Sequence, residues 1–257
     1  MEKEEVYEIL EQAYFGENSD EQVELQKLRE LIAGVDLFVD VGASLGPYTR
    51  EASRLLDGAD IIALEADPIR YERLCELAAD WQKASPNTIK VVHCAVGQQE
   101  GTVSFISTES NVSGSLSPIE GRTAGGREIT VSMKTLDDIC APYLAGKKRI
   151  FIKMDIEGGE YMALKGATNV LASENADFLI ELHAWGDSTN KKYSYHCLAL
   201  MKDNGYAFRK IGSHYQFSKR IGGSESDPYA YEITKSFLKA NLRRVPLLRR
   251  IKRALLG

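Results

Sequence analysis

Two short stretches of this chain carry residues whose types and spacing could do chemistry. The first is Asp40-Val41-Gly42-Ala43-Ser44-Leu45-Gly46, followed 23 residues after Gly42 by Glu65. Glycines at a bend let the backbone approach a ligand closely, and a helix starting there offers unpaired N–H groups to polar or anionic atoms. A carboxylate at the tip of the next strand can accept both hydrogen bonds of a ribose diol. Two nucleotide-type ligands could use such a set. A nicotinamide dinucleotide calls for Gly-x-Gly-x-x-Gly, whose middle glycine admits the pyrophosphate. Here Ala43 and Ser44 fill that middle, and Asp40 would repel the pyrophosphate. A ligand bearing an ammonium and a sulfonium is attracted by the same charge. The residues favour S-adenosyl-L-methionine (SAM) over NAD(P). An ordinary turn with a solvated Glu65 is the plainer alternative.

The second stretch is Lys153-Met154-Asp155-Ile156-Glu157-Gly158-Gly159-Glu160. Lys153 and Asp155 fall on one side of a strand by the two-residue period, as do Glu181 and His183 on the next. A central parallel strand is normally apolar throughout, and a lone buried charge costs several kcal/mol unless paired. If these strands are neighbours, Lys153 can pair with Asp155 or Glu181. Charges held at the carboxyl edge of a sheet are candidates for substrate chemistry: Asp155 or His183 as a base, with Lys153 tuning the carboxylate. The competing reading is a structural ion-pair network with a helix cap. Glu160 and Lys165 read as packing residues, and His93, His196 and His214 as ordinary histidines. Hard carboxylate oxygens on Asp155 and Glu157 would suit Mg²⁺, although the pattern does not require a metal.

The elements that must position these residues follow from hydrophobic periodicity. Apolar runs at 35–41, 60–65, 89–95, 149–154 and 177–183 alternate with helical patterns at 47–57, 68–83, 135–144, 159–172 and 191–203. That alternation predicts a parallel sheet covered on both faces, a doubly wound α/β fold. Tyr206-Ala207-Phe208 and Tyr229-Ala230-Tyr231 read as short strands closing the sheet with an antiparallel edge. Residues 107–128 read as a long loop. Residues 2–33 read as two helices, the second with a capping box at Ser19 and Gln22 and an apolar stripe of Val23, Leu28, Leu31 and Ile32. The expected organisation is a helical extension over 1–34, one domain over 35–235 and a basic tail over 236–257.

Composition narrows the function classes. The chain has 257 residues, 44% hydrophobic and 27% charged, enough for a sizeable core. No run approaches the roughly 20 apolar residues of a membrane span, and the acidic start does not read as a secretory signal. The cysteines Cys75, Cys94, Cys140 and Cys197 are scattered, which speaks against a zinc site or disulfide framework and for the cytoplasm. The tail holds seven Lys and Arg and no acid, so the other residues sum to −12 against a whole-chain −5. An acidic body argues against nucleic acid as a partner.

With these residues in view, the chain resembles the FkbM-type family of SAM-dependent methyltransferases. The matching stretches are Phe38 to Thr49, Ala63 to Pro68, Cys94 to Gly97 with Gly101 and Phe105, Thr135 to Asp138, Ile152 to Glu160, and Ile180 to His183. The resemblance implies a class I (Rossmann-like) methyltransferase fold with a seven-stranded sheet, and methyl transfer to a hydroxyl oxygen. By analogy Asp40, Gly42, Ala43, Ser44 and Gly46 would hold the methionine end of SAM. Glu65, with Ala66 beside it, would bind ribose, Cys94 and Ala95 would line the adenine, and Asp155 would stand close to the cofactor. The acceptor would be a small molecule, sugar or glycan bearing a hydroxyl. The alternatives are an NAD(P)-dependent oxidoreductase and a non-catalytic SAM-binding module of the same fold.

The tail supports two readings. Leu247, Leu248, Ile251, Leu255 and Leu256 can share a helix face opposite Arg249, Arg250, Lys252 and Arg253, which suits a helix lying on anionic lipid at the inner membrane face. A frayed or self-docking basic terminus is the other. Flotation with anionic liposomes separates them: lipid binding predicts that the full chain floats and a chain lacking 236–257 does not. Identical behaviour of the two removes the membrane reading.

Overall fold

The computed structural model describes residues 22–107, 126–146, 148–182 and 188–222. The five expected parallel strands are present as β1 (Leu37–Val41), β2 (Asp60–Glu65), β3 (Thr88–His93), β7 (Ile150–Met154) and β8 (Ala176–Glu181). A hairpin of β9 (Ala207–Ile211) and β10 (His214–Ser218) completes a seven-stranded sheet in the order β3-β2-β1-β7-β8-β10-β9. Strand β10 runs antiparallel to both its neighbours. From β1 the chain builds outward through β2 and β3, then returns to the other side of β1 with β7. Strand order therefore reverses between β1 and β7, and ligands of doubly wound sheets gather beyond the strand tips at that point.

Both faces of the central strands β1, β7 and β8 are buried, which is why these read as near-continuous apolar runs. One face packs Val39, Val41, Ile152, Met154, Phe178 and Ile180 into the larger core. The other packs Phe38, Phe151 and Leu179 against Tyr48 and Ala52 of α2 (Pro47–Leu55) and Leu28 and Ile32 of α1 (Gln22–Ile32). Pro47 opens α2 where its missing N–H costs nothing, and Asp67 caps α3 (Pro68–Ala84) by accepting from the N–H groups of Ile69 and Arg70.

Three features differ from the sequence expectations. Residues flanking the expected loop pair as β5 (Gly101–Ser107) and β6 (Arg127–Lys134), and β4 (Ala95–Val96) joins them in a separate three-stranded sheet. Their half-exposed alternation, with Phe105 and Val131 inward, is a weaker signal than an apolar run. The helix expected over 159–172 is two short pieces, α5 (Glu160–Lys165) and α6 (Thr168–Ala172), after α4 (Leu136–Leu144). The break falls at Gly166, whose bare Cα lies against the carbonyl of Gly97, an approach no side chain would permit. In α1, Val23 is 53% exposed and does not join the core; Glu24 is buried in its place. The helix after β8, α7 (Ser188–Asp203), begins three residues earlier than expected. Ser19, the possible strand at 229–231 and the tail lie outside the described residues.

Gly42 sits at φ 74°, and a Cβ there would collide with the carbonyl oxygen of Asp155. Gly58 has a similar φ of 70° with open space around it. Gly58→Ala is expected to cost only the left-handed backbone penalty of about 1–2 kcal/mol. Gly42→Ala adds a backbone collision and should cost about 3 kcal/mol or more in urea unfolding. Equal losses would mean that the β1–β7 tips are not packed this closely.

Candidate active site

The site grows from the tip of β1. Three residues of the following bend take left-handed backbone angles: Gly42, Ser44 at φ 50° and Gly46 at φ 75°. Glu65 at the end of β2 holds the bend in that shape. Its Oε2 accepts from the Ser44 N–H at 2.7 Å and its Oε1 from the Asp67 N–H at 2.8 Å. Burial pushes the Glu65 carboxyl up, while Arg70 and the two N–H groups pull it down. Each oxygen keeps acceptor capacity beyond its backbone partner. Ser44 Oγ is buried with no hydrogen-bond partner, a polar atom left at the inner surface of the bend.

Asp40 lies one strand over, with no exposed surface. Its Oδ2 accepts from the Thr49 N–H at 3.1 Å and the Thr49 hydroxyl at 2.7 Å, which secures the first turn of α2. Its Oδ1 faces Lys153 Nζ at 3.8 Å, across the β1–β7 pair in which Asp40 and Lys153 are register partners. Burial raises the Asp40 carboxyl and Lys153 opposes that rise. Lys153 is only 4% exposed at its side chain, stands 3.9 Å from Asp155 Oδ2, and lies over the Tyr48 ring at 4.6 Å. The sequence offered Asp155 or Glu181 as its partner; the structure sets Asp155 beside it and adds Asp40, on the neighbouring strand β1.

The loop after β7 closes on the bend after β1. The Asp155 N–H donates to the Val41 carbonyl at 3.1 Å. Glu160, 3% exposed, turns back to accept from the N–H groups of Ile156 and Gly158, so its role within the chain is to hold this loop. Glu157 adopts φ 53° and Gly158 φ 100°. Cys94 and Ala95 are buried next to Glu65, and the Cys94 N–H donates to the Glu65 carbonyl. Ala66 accepts at its carbonyl from the His93 ring at 2.9 Å. His183 lies outside the described residues.

The sequence offered Asp155 with Glu157 for a metal; among the described residues the fold also brings Asp155 into a group of three. Asp155, Glu181 and His214 each offer an atom within 4.8 Å of the others'. His214, read from the sequence as ordinary, is register partner of Glu181 and is 1% exposed. Its Nδ1 faces Glu24 Oε1 at 3.3 Å. Burial would raise the Glu24 carboxyl, but hydrogen bonds from His214 and Ser213 outweigh it and hold it at about 2. Glu24 and His214 are thus the residues that sequence reasoning missed. One signal was available: Glu24, Leu28 and Ile32 recur every four residues and share one helix face.

The sequence model described as the methyltransferase FkbM domain matches residues 40–208. That stretch holds both glycine loops, Glu65, Lys153 and Asp155. The chain belongs to the FkbM methyltransferase family. Among relatives of this FkbM-family protein is the hexuronic acid methyltransferase AglP of Haloferax volcanii, 28% identical over 171 residues, 65% of this chain and 64% of that protein. The chain therefore spans just under two thirds of the curated relative it matches. A solved FkbM methyltransferase from Methylobacillus flagellatus KT is 20% identical with a TM-score of 0.47, covering 84% of this chain and 50% of that one. An O-methyltransferase from Bacillus cereus, solved with S-adenosylhomocysteine (SAH), is 11% identical with a TM-score of 0.47, covering 84% and 88% of the two chains. No helix among the described residues is long and apolar enough to cross a membrane.

Burial pushes the Cys94 thiol up to about 11 and the Cys140 thiol up to about 12, and Cys197 is also buried and raised. Cys75 is partly exposed. Since the thiolate is the reactive form, iodoacetamide at pH 8 should label the native chain once, at Cys75, and four times after unfolding. Rapid native labelling of Cys94, read by peptide mass, would show that the floor beneath Glu65 is open to solvent.

Proposed function

We propose that this FkbM-family chain transfers a methyl group from SAM to a hydroxyl oxygen of a small molecule, sugar or glycan. One observation carries the reading: the bend after β1 and the loop after β7 meet at the reversal point of the sheet, with Glu65, Asp155 and Lys153 around them. The residues fit the cofactor. The carboxylate at the β2 tip suits a ribose diol, and the buried Ser44 hydroxyl offers a further polar contact on the bend. When bound, SAM supplies a methyl carbon on a sulfonium that leaves readily as a thioether.

The chain's own task is then placement and proton removal. Gly42, Ala43, Ser44 and Gly46 present backbone groups to the methionine end, and Asp40 acts from beneath through α2 and Lys153. Cys94, Ala95 and Ala66 border the adenine side. Asp155, or His183 just beyond β8, takes the proton from the acceptor hydroxyl as the new C–O bond forms and the C–S bond breaks. Lys153, held between Asp40 and Asp155, fixes the carboxylate in place. The name of AglP, a hexuronic acid methyltransferase, supports a sugar acid as the acceptor to try first. The family match favours methyl transfer over the NAD(P)-dependent alternative. A SAM-binding module without catalysis would bind SAH and turn over nothing.

Calorimetry with SAH and transfer of labelled methyl to a panel of hexuronic acids and their glycans test this. Glu65→Ala should weaken SAH by about tenfold or more, the loss of a charge-assisted hydrogen-bond pair. Asp155→Asn should lower turnover about 10²-fold or more while SAH affinity stays within about threefold. A folded parent that gives no heat with SAH would overturn the reading. Parent-like turnover in Asp155→Asn would remove Asp155 as the base.

A further inference from the structure

The tips of β7, β8 and β10 form a row on one sheet face: Asp155 follows β7, Glu181 ends β8, and His214 begins β10 as the register partner of Glu181. One side-chain atom from each lies within 4.8 Å of the other two. Ligands about 2.1 Å from a common ion stand roughly 3–4.3 Å apart. Rotation of the two partly exposed carboxylates closes the small difference.

His214 shows that the row is built for a ligand. Its ring has 1% exposure, and Nε2 is buried without a hydrogen-bond partner. An unsatisfied ring nitrogen in that setting costs free energy that a ligand would recover. The other nitrogen is committed. Nδ1 faces Glu24 Oε1 at 3.3 Å and Ser213 Oγ at 3.0 Å. The Glu24 carboxylate favours the tautomer with its proton on Nδ1, and in that neutral tautomer the lone pair is on Nε2. Carboxylate to imidazole to metal is the arrangement that fixes the tautomer of a ligating histidine. Glu24 is itself held firmly: the Ser213 N–H donates to it, and the β9–β10 turn wraps it so closely that a side chain at Gly212 would overlap its carboxylate.

We propose that Asp155, Glu181 and His214 bind a divalent first-row transition ion (Mn²⁺, Co²⁺ or Zn²⁺), with Glu24 as the positioning residue behind His214. One imidazole with two carboxylates suits these ions better than Mg²⁺, which prefers oxygen ligands alone. Three protein ligands leave coordination positions open on the side where Asp155, 22% exposed at its side chain, meets solvent. This proposal rests on the methyl-transfer reading for its role: the open positions take the acceptor's hydroxyl and a neighbouring oxygen, and the cation lowers the hydroxyl pKa so that its proton passes to water. With the ion bound, Asp155 serves as its ligand in place of the base role given to it above. A sugar acid, with oxygens at chelating spacing, is the acceptor class this site selects.

The test titrates Co²⁺ alone into the full chain after chelator treatment, followed by calorimetry and by the visible absorption of protein-bound Co²⁺. SAH affinity is measured on the same samples. One equivalent should bind, and both Glu181→Gln and His214→Gln should weaken it about tenfold or more with SAH affinity within about threefold of the parent. Glu24→Gln, which touches no ion, should weaken Co²⁺ by about 10–100-fold. If His214→Gln does not fold, Glu181→Gln carries the comparison. The proposal fails if a folded, SAH-binding parent takes up no Co²⁺, or if Glu181→Gln and His214→Gln bind it as the parent does. Co²⁺ uptake at this site without SAH binding would sink the methyl-transfer reading and leave the ion site standing.

Discussion

The rest of the site depends on a single buried carboxylate. Asp40 has no access to water, so its charge must be met inside the protein, and it is met from two directions. Thr49 meets it from the first turn of α2, and Lys153 from the neighbouring strand. Those contacts fix where α2 starts and keep an ammonium at the tip of β7, above the Tyr48 ring. A strand this deep in a parallel sheet would otherwise be apolar throughout. Two charges opposite one another in register offset part of each other's desolvation cost.

From that pair the geometry of the surrounding loops follows. With α2 anchored, the bend between Val41 and Pro47 has only five residues to reverse direction, and three of them take left-handed angles to do so. Two are glycines. The third, Ser44, is held there by the Glu65 carboxylate on its N–H. Glu65 thereby couples the second strand tip to the first, and Asp155 couples the fourth through its bond to Val41. Three separate strand tips are thus tied together by hydrogen bonds to backbone groups, which leaves them little freedom to shift against one another.

Much of this was legible in the sequence because it is local. The apolar runs marked the parallel strands, and Asp40, Glu65, Lys153 and Asp155 stood out as charges at strand ends. Strand period put Lys153 and Asp155 on one side, and left Asp155 and Glu181 as the two partners on offer. Other parts are non-local. Asp40 opposite Lys153 requires knowing that β7 returns to the side of β1, which no window of sequence states. The small sheet escaped because β5 and β6 alternate and face outward on one side, while the segment between them is rich in Ser, Gly and Thr. The break in the helix at Gly166 depends on Gly97, 69 residues earlier. Val23 and Glu24 show the finest failure: one residue of helix phase decides which of them is buried, and an apolar side chain lost the position to a carboxylate with a specific partner.

That partner has a consequence for how the chain can be divided. Glu24 and His214 both fall outside the stretch 40–208 that defines family membership, one on each side of it. Their contact joins positions 190 residues apart, so it forms only when the helix before the domain and the hairpin after it have both docked. A fragment trimmed to the shared region would keep both glycine loops and Glu65 yet lose Glu24 and His214, and with them the contact that ties α1 to the β9–β10 hairpin.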